Sequence, residues 1–144
     1  MINDLRVVVD TNVLISGLFG IKDSPSSKIL KAIRTQKIIM VTSPVILEEV
    51  NDVVNRERVV KLTKMNPAER MDFMGKLIER SDVTPGRKLQ EIISRDAKDD
   101  KFLSCAVEAR ADYIVTGDED LLDLRHYEGI KIVTPREFLE ILNK

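Results

Sequence analysis

Cysteine and histidine are nearly absent from these 144 residues, with Cys105 and His126 the sole examples of each. No intramolecular disulfide can form, and neither a thiolate zinc cage nor a cluster of imidazole ligands can be built. Any metal site must therefore use oxygen, which selects hard cations such as Mg²⁺ or Mn²⁺. Tryptophan is missing and aromatics reach 4%, so a base-stacking platform is not expected. Charge of one sign is not in excess: 23 basic and 24 acidic side chains leave a net charge of −1. That balance argues against a general nucleic-acid coat protein and is compatible with a nuclease, whose own metal ions attract phosphate. No apolar run approaches the ~20 residues of a membrane helix. Asp4 and Arg6 interrupt the early apolar run, so no signal pattern is read. The expectation is a cytoplasmic protein with no membrane partner. Its 43% hydrophobic and 33% charged residues suffice for one core, and residues 1–144 are expected to form one domain.

The charges are unevenly placed. Residues 1–55 carry six bases and six acids, residues 56–95 ten bases and six acids, and residues 96–144 seven bases and twelve acids. The basic middle suits either solvated helices or a surface facing phosphate. Leu5 to Val9 reads as a buried strand ending at Asp10. Short strands are also expected at 37–42, 81–85, 112–116 and 131–134. Helices are expected from Thr11 to near Gly20, from Ser24-Pro25, from Ser43-Pro44, from Asn66-Pro67, from Asp96 to about Arg110, after Gly117-Asp118, and from Pro135. Strands alternating with helices imply an α/β fold with a parallel sheet covered on both faces. In such a sheet all strand C-termini share one edge, and ligands bind outside it where the strand order reverses.

That rule turns linear positions into a site. Asp10 ends the first strand, Asp118 follows the strand ending at Thr116, and Asp96, Asp99 and Asp100 open a helix at the same edge. Glu49 lies about two turns into the helix after the second strand. Carboxylates from four segments can thus converge, and in a low-dielectric cleft they repel one another unless a divalent cation holds them. Aspartate is also a favoured helix N-cap, and Asp10, Asp96 and Asp118 all precede helices, so spacing alone leaves both roles open.

Four stretches then carry a resemblance. Val8-Val9-Asp10-Thr11-Asn12-Val13-Leu14-Ile15-Ser16, Ser43-Pro44 with Glu49-Val50, the run from Asp96 to Leu103, and the run from Ala111 to Leu122 resemble, in order, the four acidic motifs of PIN-domain proteins. The resemblance spans Leu5 to about Phe138. It implies a three-layer α/β/α sandwich with a central parallel sheet and a Mg²⁺- or Mn²⁺-dependent endoribonuclease site. Carried over by position, Asp10, Glu49, Asp99 and Asp118 would be the catalytic, metal-binding quartet. Asp99 stands three residues before the apolar position filled by Phe102, as the motif's acid does, although Asp100 beside it could take the role. Thr11, Asn12 and Thr116 would help order the site, and Asp120 would be an outer acid. The resemblance to VapC-type toxins further implies an RNA substrate, an antitoxin partner and a homodimer, whose interface could use Val53, Val54, Val59 and Val60.

Two other classes compete. A receiver- or phosphatase-like phosphoacceptor also places an acid after its first strand, but no aspartate ends the strand near Val83, no lysine follows Val133-Thr134-Pro135, and Asn12 stands where a phosphatase wants a second acid. A PIN-like module without turnover would keep the fold and bind RNA or a partner. Among the remaining residues, Cys105 reads as a small buried hydrophobe, His126 as an exposed loop residue beside Tyr127, and Met65, Met71 and Met74 as packing residues. Arg56, Arg58, Lys61 and Lys64 could face RNA phosphate or solvent alike.

Overall fold

The computed structural model describes residues 5–19, 22–86 and 99–143. Among these residues six strands form one sheet in the order β3-β2-β1-β4-β6-β5. They are β1 (Arg6–Val9), β2 (Ile39–Thr42), β3 (Ser81–Val83), β4 (Tyr113–Val115), β5 (His126–Tyr127) and β6 (Ile130–Val133). All pairings are parallel except β5 with β6. Val7, Val8 and Val9 are each fully buried. Because successive strand residues point to opposite faces, this run requires cover on both sides. The result is the α/β/α sandwich expected from the sequence.

The described helices are α1 (Thr11–Phe19), α2 (Pro25–Arg34), α3 (Pro44–Val54), α4 (Glu57–Thr63), α5 (Pro67–Glu79), α6 (Asp100–Ala109), α7 (Glu119–Leu122) and α8 (Pro135–Leu142). Four of them start as the sequence predicts, on a polar cap followed by proline. Ser24, Ser43, Asn66 and Thr134 each accept a hydrogen bond from the backbone three residues on. At Asn66 and Thr134 the reciprocal glutamates, Glu69 and Glu137, complete capping boxes. Proline at the first helical position gives up only an N–H that would have had no partner within the helix. Helix α6 packs on β1, β2 and β4, and α1 packs against α2 and α3. The expected cap of α6 at Asp96 lies outside the described residues. Among the described residues no helix is long and apolar enough to cross a membrane.

Several local expectations need correction. His126 and Tyr127 are not a loop: they form the short antiparallel edge strand β5. Glu128 (φ 48°) and Gly129 (φ 83°) supply two consecutive left-handed residues, which is the two-residue hairpin turn matched to strand twist. His126 itself is exposed, as expected. Val54 and Val59 belong to the core, so they are not free to form a subunit interface; Val53 and Val60 are half-buried. Met74 is buried and Met65 half-buried, but Met71 is 76% exposed. Met71 and Ile78 sit roughly a quarter-turn around α5 from the stripe formed by Phe73, Met74 and Leu77. In the basic middle, Arg56 pairs with Asp52 and Lys61 with Glu57, all strongly exposed; such solvated pairs are weak.

Candidate metal centre

The strand order reverses between β1 and β4, since β2 and β3 extend the sheet to one side of β1 while β4, β6 and β5 extend it to the other. Residues just after β1 and β4 therefore line the crevice where helices diverge. Asp10 and Asp118 both line it, in a cleft of about 280 Å³ shared with Asn12, Val13, Ser16, Ser26, Gly117 and Pro135.

Asp10 is 5% exposed and tightly held. Its Oδ1 accepts from the Asn12 backbone N–H at 3.1 Å and its Oδ2 from the Thr116 hydroxyl at 2.6 Å. Its carbonyl starts α1 by accepting from the backbone of Val13 and Leu14. Burial pushes the Asp10 carboxyl above its ordinary value. The two hydrogen bonds oppose that rise, and the nearby charges of Asp118 and Glu49 add to it. Thr116, fully buried, also accepts from the Asp118 backbone N–H at 3.0 Å. One hydroxyl therefore couples the two acids that end neighbouring strands.

Asp118 caps α7: its Oδ1 accepts from the backbone of Asp120 and Leu121 at 2.8 and 3.4 Å. The capping role weighed from sequence is therefore real, and it occupies one of the two oxygens. Asp99 stands before α6 without capping it through its side chain. One carboxylate oxygen each from Asp99, Asp118 and Asp120 lie within 4.8 Å of one another. Asp120, expected as an outer acid, is thus part of the acidic group gathered among the described residues. Asp100, next to Asp99 in the chain, has a buried Oδ1 with no hydrogen-bond partner among the described residues. Three carboxylates this close form an all-oxygen donor set that suits a hard divalent cation.

Glu49 reaches the same neighbourhood from α3. Its Oε1 accepts from the Thr11 hydroxyl at 2.5 Å, and its Oε2 is ion-paired with Lys101 at 2.8 Å. The tertiary fold thus brings Asp10, Glu49 and Asp118 into electrostatic contact and gathers Asp99, Asp118 and Asp120. Thr11 and Thr116 act as hydrogen-bond donors to the acids, while Asn12 offers its backbone N–H to Asp10 and exposes its side chain at the cleft. Lys101 was not singled out from the sequence. Its only signal is its position two residues after Asp99, which puts it on the first turn of the helix that opens at the acidic edge.

Comparison with known proteins agrees with this geometry. Residues 6–120 match the PIN domain family model. The uncharacterized protein MJ1680 of Methanocaldococcus jannaschii is 32% identical, with 97% of this chain and 93% of that protein covered. A sheet reversing at β1 and β4, acids at that reversal, and a family match running from β1 into α7 agree with one another: the chain belongs to the PIN-domain family, whose members are generally nucleases.

Proposed function

We propose that this protein is a Mg²⁺- or Mn²⁺-dependent endoribonuclease whose site is built on Asp10, Glu49, Asp99 and Asp118, with Asp120 beside them. The observation that carries the reading is the approach of the Asp99, Asp118 and Asp120 carboxylates to within 4.8 Å, next to buried Asp10. Asp99, Asp118 and Asp120 would hold the ion, with Asp10 and Asp100 as adjoining oxygens. When bound, a divalent ion supplies Lewis-acid activation and positive charge beside a phosphodiester.

The chain's own residues set the stage for hydrolysis. Thr116 and the Asn12 backbone fix both oxygens of Asp10, so its carboxylate needs no reordering. Capping of α7 fixes Asp118 through one oxygen and leaves the other for the site. The cleft lined by Asn12, Ser16 and Ser26 offers side-chain donors to an RNA phosphate. Water adds to phosphorus as the P–O bond to the leaving oxygen breaks and that oxygen gains a proton. No side chain needs to become a covalent nucleophile.

The same reading takes residues 1–144 as one PIN-like domain working in the cytoplasm. Its resemblance to VapC-type toxins extends it to an antitoxin partner and self-association. The test is single-turnover cleavage of single-stranded RNA by EDTA-stripped protein supplied with Mn²⁺ or Mg²⁺. Cleavage that needs the ion and disappears in Asp10→Asn is the expected result. Full activity in that variant would reject the scheme.

A further inference from the structure

Glu49 has a cation as its partner. Its Oε2 lies 2.8 Å from the Lys101 ammonium, and its Oε1 is taken by Thr11. The pair is largely withdrawn from water, with side-chain exposures of 17% for Lys101 and 33% for Glu49. The ammonium also lies 4.7 Å from the centroid of the Phe102 ring, a favourable cation–π position. A partly desolvated pair resists separation, because removing one member leaves an uncompensated charge. Lys101 is anchored on the first turn of α6, the helix that Asp99 precedes, so the same helix start carries an acid for the metal and a cation for Glu49.

We propose that Lys101 is a positioning residue that reserves Glu49: its ammonium supplies the positive charge that Glu49 would otherwise draw from a second metal ion, so the centre takes one divalent ion, on the side of Asp99, Asp118 and Asp120. This rests on the metal-centre reading above and adds the number of ions and the exclusion of Glu49 as a ligand. Lys101 holds Glu49 against Thr11, which joins α3 to the start of α1 next to Asp10. The lysine therefore acts through Glu49 and not on the reacting phosphate.

The experiment counts Mn²⁺ ions bound by the EDTA-stripped full chain, using calorimetric titration and the electron paramagnetic resonance signal of free Mn²⁺. Wild type is expected to bind one ion, Lys101→Met two, and Lys101→Arg, which keeps the cation, one. Glu49→Gln is expected to hold its ion within about twofold of wild-type affinity, against the 10- to 100-fold typical of a lost supporting group. Circular dichroism melts establish that each variant is folded, and Glu49→Gln tests the proposal even if Lys101→Met is not. Two ions in wild type, one in folded Lys101→Met, or a loss of about tenfold or more in Glu49→Gln overturns the role of Lys101. In the latter cases wild-type binding of one ion leaves the metal centre standing. No binding by wild type overturns the centre and this proposal together.

Discussion

The Thr116 hydroxyl donates a 2.6 Å hydrogen bond to Asp10 Oδ2 across 106 positions of sequence, and both residues are buried. It ties the ends of β1 and β4 together at the point where the sheet changes direction. It also opposes, without cancelling, the cost of burying the Asp10 charge.

That residual cost has a sign that can be measured. In the folded chain the Asp10 carboxyl is raised above 3.8, first by burial, so the native state binds the proton more tightly than the unfolded chain does. Stability associated with the group is fully present below 3.8 and is lost as pH rises through the folded value. Asp10→Asn removes the buried charge and keeps an acceptor for the Asn12 N–H. In EDTA at pH 7 it is expected to be more stable than wild type to urea by about 1 kcal/mol, while RNA cleavage is lost. The stability difference should shrink toward pH 4. A variant that is less stable at pH 7 contradicts this account of Asp10.

Asp118 has two roles that substitution can separate. Asparagine preserves the oxygen that accepts from Asp120 and Leu121, whereas alanine removes it. Asp118→Ala is expected to cost about 1 kcal/mol in urea unfolding, as for other N-caps, and Asp118→Asn only a few tenths. Both should reduce Mn²⁺-supported cleavage by about 100-fold or more. Equal stability loss in the two variants would contradict the cap; retained cleavage in Asp118→Asn would contradict the metal role.

Gly17 sets how closely α1 and α2 approach. A Cβ there would stand 2.6 Å from Leu30 Cδ1 and 2.8 Å from the Ser26 carbonyl oxygen. The Leu30 side chain can turn away, but the Ser26 backbone belongs to α2. Helix propensity favours alanine by about 1 kcal/mol, and the clash outweighs it. Gly17→Ala is expected to lose about 1–3 kcal/mol by urea denaturation and to disturb the Ser26 side of the cleft. An unchanged or raised midpoint would show that the helices can part at little cost.

Cys105 sits on α6 at 2% exposure, and burial pushes its thiol up to about 12. Thiolate is the reactive form, so the native chain should resist iodoacetamide at pH 8 and react on addition of denaturant. Mass spectrometry gives the extent of labelling. Rapid native labelling would show that α6 opens locally.

Much of this was readable from the chain because local rules set it. Polar caps followed by proline fix helix starts through hydrogen bonds within four residues, and short β-branched runs such as Val7-Val8-Val9 reveal a strand buried on both faces. Alternation then implies a parallel sheet with its acids at one edge. Less local features were harder to read. The hairpin at Glu128-Gly129 depends on glutamate adopting a left-handed backbone, which its identity does not advertise. Val54 and Val59 are apolar in either setting, so their composition could not distinguish core from interface; α3 and α4 turn them inward.

The sequence by itself determined the chemical limits of this protein: with one thiol and one imidazole it can build a polydentate metal centre only from oxygen, and four separated acidic motifs offer that oxygen. Only the tertiary structure decided how those acids are used. It placed Asp120 beside Asp99 and Asp118, gave Asp10 to Thr116, and matched Glu49 with Lys101. Those pairings depend on distances and desolvation between side chains far apart in the chain, and residue order alone does not specify either quantity.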